Sequence, residues 1–316
     1  MDAVVARAPA RIDFGGGWTD VPPYGEEMGG FVCNMAITRR ATVTLESGAA
    51  LTAAADDLTR AALRRARLDD AAVTLESDIP PGAGLGGSSA AGIALQAAIA
   101  AWRDEAIDRE VLVRRSRGVE VEELGVAGGW QDHYAAAYGG ALGLAFTDRI
   151  VVQPIPLDDA LADAIERRCV VAYTGESRIS GTTITAVLDA YRDREPRVVR
   201  ALARMAELAR AMADALAARS LDELGELVGE HWTHQRALHQ RITTPAIERA
   251  LAVALDAGAI GGKALGASGG GCVLVIARDG RERDVRQALE RVTTVVPWGV
   301  DRDGVRAQRV AQKAPA

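Results

Sequence analysis

The sequence predicts a globular protein of mixed strands and helices, folded as one compact body of two lobes. A chain of 316 residues is longer than a single hydrophobic core usually accommodates. Its composition, with 48% hydrophobic and 25% charged residues, is sufficient to bury a sizeable core. The first half alternates strand-like runs with glycine clusters, whereas long helical repeats dominate the second half. The pattern changes near residues 156–159, which predicts lobes of residues 1–157 and 158–316.

Strand and helix patterns can be placed along the first half. The Thr/Val alternation at the end of 31–45 predicts a half-buried strand, and AVTLE at 72–76 predicts a second. The small, apolar residues of 88–102 predict a helix buried inside the lobe. The same patterns predict a helix at 109–124 and two strands, at 139–146 and 150–155, joined by a turn at 147–149.

The second half predicts a helical hairpin. Apolar residues recur at spacings of three and four through 197–218, and Ser220 with Glu223 forms a capping-box pattern before a helix at 221–240.

A third helix and a strand follow the hairpin. Thr244 and Pro245 are typical of an N-cap and the first helical position, and Gly258 is placed to end that helix. A glycine-rich loop then leads into a strand at 272–277.

Charge and cysteine content limit the classes of function. With 37 basic and 43 acidic residues the net charge is −6, which argues against a general nucleic-acid or membrane surface. Neither a secretory leader nor a run of about 18 apolar residues is present, so we expect a cytoplasmic protein. Cys33, Cys169 and Cys272 lack CxxC spacing and are expected to be reduced packing residues. Nearly all the positive charge is arginine, so Lys263, beside a glycine run, stands out.

The strongest motif is PPGAGLGGSSAA at 80–91, between a predicted strand and a predicted helix. Glycines let successive N–H groups turn toward one point, and a helix start adds unpaired donors and a positive dipole end. Together these features predict an anion cradle. The alternative is a flexible turn in which Ser88 or Ser89 serves only as an N-cap.

Two other phosphate-binding motifs fit this loop poorly. Gly82, Gly84 and Gly87 satisfy GxGxxG, and Glu105 lies about twenty residues further on. However, no second strand precedes Glu105 to present it to a ribose, and the double proline is foreign to a Rossmann turn. A Walker A loop is excluded because no Lys-Ser/Thr pair follows the glycines.

Three segments together resemble the GHMP kinases, the superfamily of galactokinase, homoserine kinase and mevalonate kinase. PPGAGLGGSSAA resembles the family's central ATP motif, APARID with GGGWTD at 8–20 its first motif, and KALGASGGG at 263–271 its third, with Ser268 where glycine is common. The resemblance covers essentially the whole chain. It implies an α+β fold with an N-terminal lobe like ribosomal protein S5 domain 2, a C-terminal ferredoxin-like lobe, and substrates in the cleft between them.

The resemblance also implies the residues that carry out phosphoryl transfer. GGWQDH at 128–133 resembles the motif that carries the catalytic Asp in sugar kinases, which makes Asp132 the expected base. Arg11 matches the basic residue beside that Asp and would keep it ionised. A cap on the following turn is the alternative for Asp132, and a surface position is the alternative for Arg11. The expected ATP-binding residues are Pro81, Gly82, Ala83, Gly84, Leu85, Gly86, Gly87, Ser88, Ser89 and Ala90.

Magnesium requires hard oxygen ligands, and the Ser88 hydroxyl with a carboxylate from the 109–124 helix meets that need. Glu120 precedes Asp132 by twelve residues, the separation found in galactokinase-like relatives. Glu122 and Glu123 stay open as alternatives, and solvated helix charges are the simpler interpretation of all three.

Acceptor-binding residues also follow from the resemblance. Asp20 occupies the position where sugar kinases present a carboxylate to sugar hydroxyls, next to Thr19, and Trp18 is placed to pack on a pyranose face unless it belongs to the core. YTGESRIS at 173–180 resembles a segment of D-glycero-D-manno-heptose 7-phosphate kinases. The expected substrate-binding residues are Asp20, Trp18, Thr19, Arg178, Ser180, Gly269 and Gly270. Arg178 and Ser180 are expected to bind a phosphate on the acceptor, and the alternative for them is a charged turn.

The sequence thus predicts an ATP- and Mg²⁺-dependent kinase of a small sugar or sugar phosphate, with heptose 7-phosphate as the leading acceptor. A fucokinase-like 1-kinase of a free sugar is one alternative, and a catalytically silent ATP- and sugar-binding sensor is another. No nucleic acid or membrane partner is expected, and the oligomeric state stays open, a homodimer included. His231, His234 and His239 lack the HExxH order of a zinc site and are interpreted as one helix face.

Overall fold

The first lobe is built on a six-stranded antiparallel sheet. A computed structural model describes residues 2–47, 56–68, 71–176 and 181–311. Its elements up to residue 155 are β1 (Asp2–Gly15), β2 (Phe31–Ser47), α1 (Asp57–Arg65), β3 (Ala71–Ser77), α2 (Gly87–Trp102), α3 (Arg109–Gly118), α4 (Gln131–Tyr138), β4 (Ala141–Phe146) and β5 (Ile150–Ile155). Two π-helical turns lie at Gly25–Gly29 and Val119–Glu123.

The second lobe contains a four-stranded antiparallel sheet and most of the long helices. The elements from residue 159 onward are α5 (Asp159–Arg168), β6 (Cys169–Tyr173), α6 (Gly181–Arg192), α7 (Pro196–Ala217), α8 (Leu221–Leu238), α9 (Pro245–Asp256), β7 (Ala259–Ala264), β8 (Cys272–Ala277), α10 (Glu282–Glu290), β9 (Thr294–Val295) and β10 (Arg306–Ala311). Among the helices described, none has the length and apolar character that a membrane span requires.

Strand order explains how the lobes are joined. The first sheet runs β10-β1-β2-β4-β5, with β3 also paired to β2, and the second runs β7-β8-β6-β9. The last strand, β10, therefore lies in the first sheet, although it comes long after the predicted division at 157/158. The larger apolar cluster continues from the first sheet and α2 into α7, α8 and β8, so the two lobes share one core.

The helix predicted at 88–102 is confirmed as α2, which is buried along nearly all its length. Its residues are small and apolar on every face, so the helix can pack against the sheet on one side and against α3 and α4 on the other. This packing holds its N-terminus, and the glycine loop before it, in a fixed place.

Two local predictions differ from the structure. The helix predicted at 109–124 ends at Gly118 and continues as a π-helical turn, which changes the direction of the acidic side chains beyond that point. Ser220 makes no side-chain capping bond; only its carbonyl accepts a hydrogen bond, from the Leu224 N–H at 3.0 Å. By contrast, the Thr244 cap is confirmed, since its hydroxyl accepts a hydrogen bond from Ile247 N–H.

Candidate functional site

The glycine loop forms the wall of a cavity of about 550 Å³ at the N-terminus of α2. Gly82, Gly84 and Gly86 all adopt left-handed backbone angles, with φ of +67°, +72° and +75°. Residues 80–89 all line this cavity, together with parts of β3, α1 and the third motif, whereas Ala90, the last of the expected ATP-binding residues, is buried in α2. The predicted anion cradle is therefore an open concave surface with a helix start at its base.

Two of these glycines are required by space as well as by φ. A Cβ on Gly84 would lie 2.7 Å from the Leu265 carbonyl oxygen, and one on Gly86 would lie 3.1 Å from the Asp132 Cγ. The loop thus touches both the third motif and the candidate base. Any larger residue would push one of these neighbours away.

The third motif packs directly on the glycine loop. Cys272 N–H donates to the Ala83 carbonyl at 2.8 Å, and Gly270 lines the large cavity. Ser268 adopts φ +69°, the conformation that glycine would take, and accepts a hydrogen bond at 3.0 Å from the amide of Gln235. Gly269 donates its N–H to the Ile242 carbonyl at 2.8 Å. Of the two predicted substrate glycines, Gly270 therefore lies in the wall of the large cavity and Gly269 braces the loop.

Asp132 and Arg11 form an ion pair at the edge of this cavity. The Arg11 Nε lies 2.7 Å from the Asp132 Oδ1, and a terminal nitrogen of Arg11 donates to the Gly84 carbonyl at 2.6 Å. The Arg11 side chain is 4% exposed and that of Asp132 28%, so the guanidinium is fixed while the carboxylate reaches the open space. Asp132 lies in the first turn of α4. The structure thus brings together β1, the glycine loop and α4.

Glu120 faces the start of α2 from the π-helical turn. One carboxylate oxygen accepts a hydrogen bond from Ser88 at 2.8 Å and lies 3.5 Å from Ser89, and the other lies 3.1 Å from the His133 Nε2. Burial raises the pKa of Glu120, but hydrogen bonding and charge from His133 and the hydrogen bonds from the serines outweigh it and lower the pKa overall. Glu120 is therefore held as a carboxylate beside the cradle.

The donor set at this point fits magnesium. Ser88 and Glu120 offer one hydroxyl and one carboxylate, both hard oxygen ligands, and within the described ranges no group of three or more His, Cys, Asp or Glu side chains forms a closed metal cage. Mg²⁺ is commonly held by one or two protein oxygens plus phosphate oxygens and water. Glu122 and Glu123 instead face Arg65, at 2.7 and 3.7 Å, which favours Glu120 among the three candidates.

A second cavity of about 260 Å³ adjoins the first and contains Asp20. The Asp20 Oδ2 accepts hydrogen bonds from the backbone N–H groups of Trp130 at 2.8 Å and Gln131 at 3.0 Å. Burial, together with the charges of Asp132 and Asp13, raises its pKa to about 6 against the effect of these two hydrogen bonds. Asp20 is thus fixed in place, with a pKa well above the usual range of an aspartate.

The remaining acceptor candidates are placed differently. Trp18 lines the second cavity but is only 6% exposed and packs in the apolar cluster of the second lobe. Thr19 is fully buried, and its hydroxyl bonds to the backbone of Gly16 and Phe31, so it holds the loop together instead of facing a cavity. Arg178 and Ser180 lie outside the described residues.

Both cavities share the glycine loop and Asp132 as common walls. The shared lining residues are Gly84, Gly86, Ser88, Ser89, Asp132 and Ala267. A triphosphate along the first cavity would therefore end where an acceptor in the second begins. That arrangement suits transfer of a terminal phosphoryl group to a hydroxyl.

Sequence reasoning passed over several residues of this site. Gln131 and His133 stand on either side of Asp132, and Gly129 packs so closely on Asp20 that a Cβ there would lie 1.9 Å from the Asp20 Oδ2. All belong to the motif that identified Asp132, but only the tertiary contacts reveal their roles. Gly17 is the fourth: a Cβ on it would lie 2.6 Å from the Asp13 Oδ2.

His231 and His234 lie in α8, whereas His239 is the C-cap of that helix with an extended backbone, so the three do not form the single helix face expected from the sequence. The buried His231 accepts the Gly16 N–H at its Nε2, 2.8 Å away, and burial lowers its pKa well below the usual value. His234 lies 3.9 Å from Glu230. His239 accepts the Arg241 N–H. Each of the three thus has a separate structural contact.

The fold and site define a phosphotransferase with a glycine-loop cradle between two lobes. The model of the GHMP kinases N terminal domain matches residues 46–140, and that of the GHMP kinases C terminal domain matches residues 212–293. The chain belongs to the GHMP kinases.

The curated relatives include sugar kinases and mevalonate kinases. The chain is 27% identical to the bifunctional fucokinase/GDP-fucose pyrophosphorylase of Arabidopsis thaliana over 89% of this chain and 30% of that protein. It is 25% identical to the D-glycero-alpha-D-manno-heptose 7-phosphate kinase of Campylobacter jejuni over 98% of this chain and 100% of that protein. The chain thus spans less than a third of the plant protein and the whole of the bacterial one.

Solved structures share the fold. A D-glycero-D-manno-heptose 1-phosphate kinase from Bacteroides thetaiotaomicron superposes with a TM-score of 0.80 at 24% identity, covering 98% of this chain and 100% of that one. The galactokinase of Lactococcus lactis with bound galactose gives a TM-score of 0.75 at 16% identity, covering 97% and 95%. The two-lobed fold expected from the sequence is therefore confirmed.

Proposed function

We propose that the protein transfers the γ-phosphoryl group of ATP, with Mg²⁺, to the anomeric hydroxyl of a sugar phosphate, with D-glycero-D-manno-heptose 7-phosphate as the leading acceptor. The observation that carries this proposal is the meeting of the two cavities at Asp132. Full-length similarity to the Campylobacter enzyme supports the choice of acceptor. The net charge of −6 supports a small-molecule acceptor over a nucleic acid, and the use of ATP supports a cytoplasmic location.

The residues of the site divide the work of transfer. The N–H groups of the glycine loop and the start of α2 bind the phosphates, and Asp20 orients the acceptor through its hydroxyls. Arg11 holds the Asp132 Oδ1, which leaves Oδ2 for the proton of the attacking hydroxyl. The bond from the acceptor oxygen to the γ-phosphorus forms as the bond from that phosphorus to the β,γ-bridging oxygen breaks, and ADP leaves.

Ser88 and Glu120 would hold the magnesium ion, which when bound neutralises charge on the β- and γ-phosphates. His133 stands behind Glu120 at 3.1 Å and orients it. Asp132 is a weak base, but it needs only to accept a proton that is already leaving in the loose transition state. Its position therefore matters more than its proton affinity.

A panel of sugars and sugar phosphates in an ADP-release assay tests this proposal, with Asp132→Asn as the inactive variant. We expect activity on heptose 7-phosphate, and a kcat lower by about 10²–10⁴-fold in Asp132→Asn, with ATP affinity changed only a few fold. Asp189→Asn, on the exposed face of α6, is the matched control and should behave as the parent protein.

Other results would assign a different function. Activity on a free sugar alone would replace the proposal with a fucokinase-like 1-kinase, the alternative that the similarity to the plant protein favours. ATP and sugar binding without turnover would indicate a sensor. An Asp132→Asn variant with near-normal turnover would show that another group accepts the proton.

A further inference from the structure

A buried ion pair between Lys263 and Asp13 lies close to the Arg11–Asp132 pair, and neither of its members lines either cavity. The Lys263 Nζ lies 2.8 Å from the Asp13 Oδ2 and donates to the Asp13 carbonyl at 3.2 Å. Lys263 is 0% exposed and Asp13 is 1% exposed. Asp13 belongs to β1 and Lys263 to β7, so the pair joins the sheets of the two lobes. Burying two charges carries a large desolvation cost that hydrophobic residues would avoid, so stability alone is a poor reason for this pair.

Strand geometry places Asp13 next to the catalytic arginine. Residues two apart on a strand point to the same face, and Arg11, Ile12 and Asp13 pair in regular register with β2. The Arg11 guanidinium and the Asp13 carboxylate therefore project from β1 side by side. The charge of Arg11 also contributes to lowering the pKa of Lys263, after burial as the main cause, which places the two cations within range of each other.

Arg11 thus has two carboxylates available, Asp132 on α4 and Asp13 on its own strand. It bonds to Asp132 at 2.7 Å, while Asp13 is taken by Lys263. A buried carboxylate without a cation would recruit the nearest guanidinium, because an unpaired buried charge is strongly destabilising. The nearest guanidinium along the strand is that of Arg11.

We propose that Lys263 is a positioning residue which neutralises Asp13, so that Arg11 stays paired with Asp132 at the phosphoryl-transfer site. Lys263 touches neither cavity and acts through Asp13 and Arg11. The third glycine motif, which begins at Lys263, therefore contributes to catalysis through its first residue as well as through its loop.

The pair also fixes where the loops meet. Gly17, in the wall of the acceptor cavity, packs against the Asp13 carboxylate. Two residues beyond Lys263, the Leu265 carbonyl packs against Gly84 of the phosphate loop. A shift of Asp13 would reach both cavities, and misplacement of about 1 Å at such a site costs roughly a hundredfold in rate.

Charge removal followed by second-site rescue tests this inference, which rests on the proposed function for its kinetic arm. In Lys263→Met we expect kcat to fall by about a hundredfold, with ATP affinity changed little. The Asp13→Asn/Lys263→Met double variant removes the competing carboxylate and should recover kcat to within about fivefold of the parent protein. Arg168→Met is the matched control: it deletes a 9% exposed cation that is paired with Asp222 and lines neither cavity, and it should lower Tm without lowering kcat.

Crystal structures of the single and double variants decide the matter independently of any sugar. The Arg11 side chain should turn to Asp13 in Lys263→Met and return to Asp132 in the double variant. Unchanged Arg11 geometry, or a Lys263→Met protein with normal kcat per folded molecule and only a lower Tm, would overturn the inference. If Lys263→Met fails to fold, Lys263→Gln takes its place. A kcat of Lys263→Gln equal to that of the parent protein would also overturn the inference. A parent protein that is inactive on every sugar would refute the proposed function, and the crystal structures of the variants would then test the role of Lys263 on their own.

Discussion

Substitution of Gly129 by alanine is expected to disable acceptor binding without disturbing ATP. A Cβ there would lie 1.9 Å from the Asp20 Oδ2 and 2.3 Å from its Cγ, so the carboxylate must move by about 1 Å to reach contact distances that real Cβ atoms show. That movement breaks the hydrogen bonds of 2.8 and 3.0 Å that Asp20 accepts from Trp130 and Gln131.

The expected magnitude follows from those bonds. Hydrogen bonds to a charged group contribute about 1.5–3 kcal/mol each, and loss of one such contribution corresponds to a decrease of about 10- to 150-fold in kcat/KM for the acceptor. Gly128→Ala is the matched control, because nothing lies within 4 Å of a Cβ at that neighbouring position.

The assay is steady-state ADP release with acceptor varied at saturating ATP, together with calorimetric binding of an ATP analogue. ATP binding should be unchanged in both variants. If Gly129→Ala kept its acceptor kcat/KM within about threefold of Gly128→Ala, Asp20 would not be the group that orients the acceptor.

Three further predictions concern the carboxylates. Because the pKa of Asp20 is raised to about 6, acceptor kcat/KM should fall as pH decreases through about 6, and Asp20→Asn should remove that step along with most activity. A raised carboxyl pKa means that ionisation of Asp20 destabilises the folded state. Asp20→Asn should therefore stabilise the protein above pH 6 by up to about 3 kcal/mol, and this gain should disappear below about pH 4. An unchanged denaturation midpoint at pH 7.5 would contradict this prediction. Glu120→Gln should raise the Mg²⁺ concentration required for half-maximal rate by about tenfold or more. Glu122→Gln is the control, because it loses only an ion pair with Arg65 and should leave that concentration unchanged. Equal Mg²⁺ titrations of the two variants would exclude Glu120 as a ligand.

Local patterns located many of the elements because local physics decides them. The apolar helix at 88–102, the Thr244 cap and the strand at 272–277 depend on residues next to one another, and all three are confirmed. The first strand, Asp2–Gly15, went unpredicted although alternate residues from Val4 to Phe14 are buried, because its alanines and Pro9 weaken the usual strand pattern. The capping box at Ser220 did not form, since a pattern states which bonds are available and not which are made.

The sequence by itself identified the glycine cradle, the family and the candidate residues Asp132, Arg11 and Ser88, because motifs of this kind encode backbone freedom and charge within a few positions. Only the tertiary structure decided which side chains meet. The π-helical turn at Val119–Glu123 directs Glu120 toward Ser88 and leaves Glu122 and Glu123 facing Arg65. The Thr19 hydroxyl bonds to the backbone and does not face a cavity. Lys263 contacts Asp13 although 250 positions separate the two residues in the sequence. Contacts between distant segments depend on how whole sheets pack, and no short pattern of residues carries that information.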